Sequence, residues 1–224
     1  MKDPQALRDR MVETQIADRG VRDPAVLAAM RKVPRESFVP EWRREDAYAD
    51  EPLPIEEGQT ISQPYIVAAM IEAARLRSGD RALEIGTGSG YSAAVLSTIV
   101  AEVYTVERLA GLAESARRRL AELGYANVHV RHANGTLGWP EHAPYDVIIV
   151  TAGGPHVPQA LLDQLAAGGR LVMPVASERA GQRLVRITST GEAGGNRFKR
   201  EELEAVAFVP LIGAEGWQPG QRPR

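Results

Sequence analysis

An apolar strand that ends in an acid and turns at once through three alternate glycines leaves few folds open to this chain: Ala82-Leu83-Glu84-Ile85-Gly86-Thr87-Gly88-Ser89-Gly90-Tyr91. Without a Cβ, glycine lets the backbone bend tightly and approach a ligand closely. A strand that feeds such a turn into a helix opens an α/β sheet, whose ligands bind beyond the carboxyl ends of the strands. The pattern then repeats, with strands predicted at 81–85, 102–107, 127–132, 146–151 and 170–175 and helices at about 90–100, 109–123 and 157–166. This alternation implies a doubly wound, mostly parallel sheet covered by helices on both faces. Val147-Ile148-Ile149-Val150 reads as a central strand buried on both sides. Arg183 to Ser189 and Glu204 to Val209, around a Gly/Asn turn at 194–196, predict an antiparallel C-terminal edge hairpin.

The first third is helical by pattern. Asp3-Pro4 starts a helix with Leu7, Met11 and Ile16 near one face, stopped by Gly20, and Asp23-Pro24 opens a second through Met30, ended by Val33-Pro34. Residues 35–60 carry Pro40, Pro52 and Pro54 with Phe38, Trp42 and Tyr48, the composition of an ordered loop packed on the body. Ser62-Gln63-Pro64 reads as an N-cap with proline in the first turn, followed by Ile66, Val67, Met70 and Ile71 at helical spacing. At 224 residues the expectation is one domain: residues 1–78 as N-terminal helices and a substrate loop, 79–175 as the cofactor-binding core, and 176–224 as edge strands.

Composition narrows the function classes. A net charge of −2 implies no general affinity for nucleic acid. Arg117-Arg118-Arg119 lies in a helical pattern and reads as a solvated face. The chain has no cysteine, which rules out disulfides, thiolate nucleophiles and cysteine-ligated metals. None of His129, His132, His142 and His156 is spaced like a zinc ligand pair, so no metal is expected. No apolar run approaches the roughly 18 residues of a membrane span, and a cytoplasmic monomer with no membrane partner is expected.

The glycine turn departs from G-x-G-x-x-G, because Tyr91 stands at the third glycine position of the dinucleotide pattern. Glu84 puts a negative charge beside the turn, which suits a cationic ligand better than a pyrophosphate. S-adenosylmethionine carries both a sulfonium and an ammonium, so a methyltransferase is expected ahead of a dehydrogenase, with Glu84, Gly86, Thr87, Gly88, Ser89 and Gly90 around the cofactor. Glu107, 21 residues after Gly86, ends the next strand where an acid can accept both hydroxyls of a ribose; the alternative is an unliganded acid. Asn134 and Gly135 follow the third strand beside the expected adenine edge, with the Asn134 amide oxygen available to the adenine amine. A plain turn residue is the alternative for Asn134.

With these residues in view, the chain resembles the protein-L-isoaspartate O-methyltransferases. The resemblance rests on the stretch from Leu83 to Tyr91, on Pro52-Leu53-Pro54-Ile55 through Gly58-Gln59-Thr60-Ile61-Ser62-Gln63-Pro64, and on Tyr145-Asp146-Val147-Ile148-Ile149-Val150-Thr151-Ala152. Val33-Pro34-Arg35, Phe38-Val39-Pro40, Gly138-Trp139-Pro140, Gly168-Gly169-Arg170-Leu171-Val172 and Phe208-Val209-Pro210-Leu211 extend it over nearly the whole chain. It implies a Rossmann-like methyltransferase fold and methyl transfer from S-adenosylmethionine to the α-carboxylate of L-isoaspartyl residues in damaged proteins and peptides. It also implies that Ser62 and Thr60 orient that carboxylate, with Ile61 and Val209-Pro210-Leu211 beside an extended peptide; a plain helix cap is the alternative for Ser62. Asn134 departs from the Asp usual in the family's Gly-Asp-Gly turn, and Glu56 from the Gly that usually follows Pro-Ile. Two rivals stay open: a tailoring enzyme for ordinary aspartate in one dedicated precursor, and a non-catalytic cofactor-binding protein.

Overall fold

Two aspartates start the N-terminal helices. In the computed structural model, which describes residues 3–177, 181–191 and 197–221, Asp3 caps α1 (Pro4–Met11) by accepting from the Gln5 N–H, and Asp23 caps α2 (Pro24–Lys32) through Ala25. α1 runs on through a π-helical turn, Val12–Ala17, which keeps Met11, Val12 and Ile16 on the buried side until Gly20 reverses the chain at φ +107°. The loop beyond α2 is built of short 3₁₀ turns. Phe38 is buried and Tyr48 is pinned by Glu36 and Arg8, as expected of a packed loop, whereas Trp42 stays 68% exposed beside Arg43.

Leu53–Pro54 (β1) and Thr60–Ile61 (β2) pair antiparallel, bringing the chain to α3 (Pro64–Ala74). The N-cap of α3 is Gln63 with Pro64 behind it, and no side chain caps it, so Ser62 is not the cap. The sheet then follows as β3 (Arg81–Ile85), α4 (Tyr91–Ser97), β4 (Glu102–Glu107), α5 (Ala110–Glu122), β5 (Val128–His132), β6 (Tyr145–Val150), α6 (Gln159–Asp163), β7 (Leu165–Ala176), β8 (Gln182–Ser189) and β9 (Phe198–Val206). Its order is β5-β4-β3-β6-β7-β8-β9, parallel from β5 to β7 and antiparallel across β8 and β9. No helix among the described residues is long and apolar enough to cross a membrane.

Several boundaries differ from the sequence pattern for local reasons. α4 stops at Ser97, where the Ser97 and Thr98 hydroxyls fold back onto the Ala94 and Val95 carbonyls. α6 has only five residues because Leu165 already pairs with Tyr145 in the sheet, and a register shift before Val147 absorbs the extra residues of 166–169. The last strand spans 198–206 rather than 204–209, since Phe208 and Val209 leave the ladder to bond Gln182 and Gly153. The turn expected at 194–196 lies outside the described residues.

One face of the sheet packs α3, α4 and α5 against Ala82, Val103, Val147, Ile149 and Val172. The other face buries Leu83, Ile85, Val106, Ile148 and Val150 under α6 and irregular segments rather than under long helices. Beneath the helical face, Arg170 Nη2 meets Asp80 at 2.7 Å while its Nε donates to the Ala74 carbonyl, tying the end of α3 to β7.

Candidate active site

The strand order reverses between β3 and β6, so the loops leaving their carboxyl ends diverge and open a crevice there. A cavity of about 710 Å³ occupies it. Its walls are the glycine turn, residues 106–109 after β4, residues 59–63 ahead of α3, Thr151 and Ala152 after β6, and residues 204–212.

The glycine turn is fixed by what lies behind it. Gly86 sits at φ +98°, and a Cβ there would collide with Thr151 Oγ1, whose hydroxyl donates to the Gly86 carbonyl at 2.8 Å. Glu107 is 7% exposed at the cavity wall. One of its oxygens accepts from the Gly88 N–H and the other from the Leu109 N–H, both at 2.9 Å. The carboxylate is thus locked in one orientation, with lone pairs left on both oxygens for a pair of ligand hydroxyls.

Glu84 is a correction. It lies on the helical face of β3, opposite Thr105 of β4, is fully buried, and does not line the cavity. Thr105 Oγ1 donates to it at 2.6 Å and itself sits 2.6 Å from the hydroxyl of Thr87, which does line the cavity. With Thr105 donating to the acid, Thr87 donates to Thr105, so Glu84 reaches the cavity wall through two hydroxyls. Burial pushes its carboxyl up to about 7, partly opposed by hydrogen bonds from Thr105 and Ser92, and its Oε1 has no partner among the described residues. Gly90 also lies off the cavity, packed against Leu120 and Ala116 of α5.

Asn134 is the second correction. Its amide oxygen accepts from both the N–H and the hydroxyl of Thr136, at 3.1 and 2.9 Å, which occupies the acceptor expected to meet an adenine amine. Local closure of the turn takes that oxygen, while Gly135 stands on the cavity wall. In the arginine run, Arg117 and Arg118 are solvated, but Arg119 turns inward and donates to the Ser89 carbonyl at 2.8 Å. Burial lowers the Arg119 pKa, and the charge of nearby Glu56 works against that. The unusual acid at 56 therefore lies within electrostatic range of a cation.

On the other side of the cavity, Thr60, Ile61 and Ser62 line the wall together. The Ser62 carbonyl accepts from buried Arg35 at 2.8 Å, and its hydroxyl has no protein partner among the described residues. Val209, Pro210 and Leu211 line the wall as well. The Val209 carbonyl and the Leu211 N–H are bonded to Gly153 at 2.8 and 2.9 Å, which leaves the Pro210 carbonyl facing away from that ladder. Sequence reasoning missed Thr151 and Arg19, which line the cavity, and Arg35, which holds the Ser62 carbonyl. Thr151 was within reach, because it directly follows an apolar central strand at its carboxyl end.

A parallel sheet with a glycine turn after β3, a clamped acid after β4 and a cavity at the strand-order switch defines a Rossmann-like methyltransferase architecture. The comparisons with known proteins agree. The family model described as Protein-L-isoaspartate(D-aspartate) O-methyltransferase matches residues 6–216. The Protein-L-isoaspartate O-methyltransferase 2 of Pelobacter propionicus is 62% identical over 210 residues, 94% of this chain and 92% of its own. A Rhodopseudomonas palustris protein-L-isoaspartate O-methyltransferase is also 62% identical, over 93% of this chain and 94% of its own. A solved protein-L-isoaspartate O-methyltransferase superposes with a TM-score of 0.83 at 32% identity, covering 93% of this chain and 67% of that one. A Plasmodium falciparum protein of the same description, in complex with S-adenosyl-L-homocysteine, superposes at 0.78 and 26% identity over 92% of this chain and 98% of its own. The chain belongs to the protein-L-isoaspartate(D-aspartate) O-methyltransferase family.

Proposed function

We propose that this chain transfers a methyl group from S-adenosylmethionine to the α-carboxylate of L-isoaspartyl residues in damaged proteins and peptides. The observation that carries this reading is that one cavity is walled on one side by the glycine turn and Glu107 and on the other by Thr60, Ile61 and Ser62, in a chain of this family. The residues fit the cofactor: the approach at Gly86 admits no Cβ, the Glu107 carboxylate is pre-oriented by two backbone N–H groups, and a buried acid lies behind Thr87.

The chemistry supplied when the cofactor is bound is an electrophilic methyl group on a sulfonium. In this reading Glu107 accepts the two ribose hydroxyls, the backbone of residues 86–89 follows the rest of the cofactor, and Gly135 flanks the adenine. A peptide carboxylate ionises near pH 4, so at neutral pH it is already a nucleophile and no general base is required of the chain. The task left to the protein is alignment and exclusion of water. Ser62, with a hydroxyl free to donate, and Thr60 orient the carboxylate, while Ile61 and residues 209–211 hold the peptide, the Pro210 carbonyl offering an acceptor to its backbone. The ester formed would close to a succinimide as the adjacent backbone amide nitrogen attacks the ester carbonyl and expels methanol, and hydrolysis of that ring returns part of the damage to normal aspartate. We take the enzyme to act as a cytoplasmic monomer, a reading supported by the fact that the cavity-lining groups named above all come from one chain.

The test is incubation with methyl-labelled S-adenosylmethionine and two peptides identical except for L-isoaspartate or L-aspartate at one position. Label entering only the isoaspartyl peptide is the expected result. Label entering neither, in a protein that binds the cofactor, would overturn the repair reading and point to a dedicated substrate.

A further inference from the structure

Arg35 is a fully buried cation with no acid to meet it among the described residues. Its relative exposure is 0%, no carboxylate among the described residues pairs with it, and burial pushes its pKa down. The guanidinium donates through Nε to the Ala47 carbonyl at 2.7 Å and through Nη2 to the Ser62 carbonyl at 2.8 Å. Nη1 has no hydrogen-bond partner among the described residues, and the group lies 4.9 Å from the centre of the Tyr91 ring. As packing this is a poor choice, because an apolar side chain of similar volume would fill the space without desolvating a charge.

What the guanidinium does that no apolar residue can do is join three pieces of the site. Ala47 belongs to the loop before β1, Ser62 to the cavity wall, and Tyr91 to the first turn of the helix that follows the glycine turn. A planar fork with fixed donor directions spans two carbonyls at once, which an ammonium cannot do in the same geometry. Ser62 has little else to hold it. It is not the helix cap, its hydroxyl is unpartnered among the described residues, and β2 ends one residue before it.

We propose that Arg35 is a positioning residue for methyl transfer: by holding the Ser62 carbonyl against the Ala47 loop and the Tyr91 ring, it fixes where the Ser62 hydroxyl meets the substrate carboxylate. This rests on the reading of Ser62 as the group that orients that carboxylate. Arg35 does not line the cavity, so in this reading its effect passes through Ser62.

A double-mutant cycle tests this with Ser62→Ala, Arg35→Met and the combined variant, measuring kcat and KM for an isoaspartyl peptide and cofactor affinity by calorimetry. Arg35→Met should lower kcat/KM by about tenfold or more with cofactor Kd within about threefold, and should cost less than about threefold once Ser62 is alanine. Equal losses in both backgrounds, or a loss of cofactor affinity that matches the loss of turnover, would overturn the inference and leave Arg35 a structural residue. Full activity of Ser62→Ala would instead overturn the role of Ser62, and the route through it. Should Arg35→Met not fold, Arg35→Lys keeps the charge but not the two-carbonyl span: slowed turnover that vanishes in the Ser62→Ala background supports the proposal, and wild-type kinetics refute it.

Discussion

Replacing Glu84 with glutamine isolates what it costs to seal an acid beneath the glycine turn. The unfolded chain ionises this group near 4.5, whereas in the fold burial pushes it up to about 7. Between those values the folded protein holds a proton that the unfolded chain has shed. Stability therefore falls as pH rises through that window, and the full penalty stands above the folded value. At about 1.4 kcal/mol per pKa unit, the penalty is roughly 1 kcal/mol at pH 5 and on the order of 3 kcal/mol at pH 8. Glutamine carries no charge at either pH and keeps an oxygen for the Thr105 hydroxyl. Its amide nitrogen takes the place of an oxygen that already lacks a partner, a cost of about 1 kcal/mol that does not change with pH. The readout is thus the slope rather than the level. Denaturant unfolding of both proteins without cofactor should show the variant gaining about 2 kcal/mol on the wild type between pH 5 and pH 8. Parallel stability curves over that range would refute the reasoning, because they would mean that Glu84 ionises as freely in the fold as outside it.

Glu107→Ala should raise the cofactor dissociation constant about tenfold or more, since it removes both a bidentate acceptor and the clamp on Gly88 and Leu109; unchanged affinity in calorimetry would place the ribose elsewhere. Gly86→Ala meets both a positive φ and the Thr151 hydroxyl, and a melting temperature lowered by several degrees, roughly 2 kcal/mol, is expected. An unaltered melt would show that the turn can shift away from Thr151. Asp80→Asn leaves the Arg170 guanidinium buried without its carboxylate and should cost about 3 kcal/mol in denaturant unfolding. A loss under about 1 kcal/mol would mean that the carbonyls of Ala74 and Arg75 satisfy Arg170 on their own.

The parallel core was legible because strand period and helix period alternate cleanly from residue 81 onward, and the central run at 147–150 could be nothing but a strand covered on both sides. The two aspartate caps were equally plain, each followed by proline. Depth was harder to read. Glu84 and Ala82 share a face by strand parity, but only the packed helices show that this face is the sealed one. At Asn134 the oxygen that looked available was taken by a residue two positions on, a competition that residue type alone does not decide. Arg35 entered only within the Val33-Pro34-Arg35 match, which gave no sign of a role for its side chain. An arginine after Val-Pro looks like any surface arginine until residues 47, 62 and 91 converge on it in space.

The two antiparallel edge strands settle a question of parity. β7 runs toward the rim that carries the glycine turn, β8 runs away from it, and β9 returns, so the chain beyond Val206 arrives back at the cavity. A single added strand would have delivered residues 207–212 to the far side of the molecule, and three would have done the same. Chain inserted between Ser189 and Phe198 therefore lands at the end of the sheet remote from the cavity, while even a short insertion after Val206 is built into the cavity wall. The two connections are close neighbours in sequence, yet one is open to drift and the other is not.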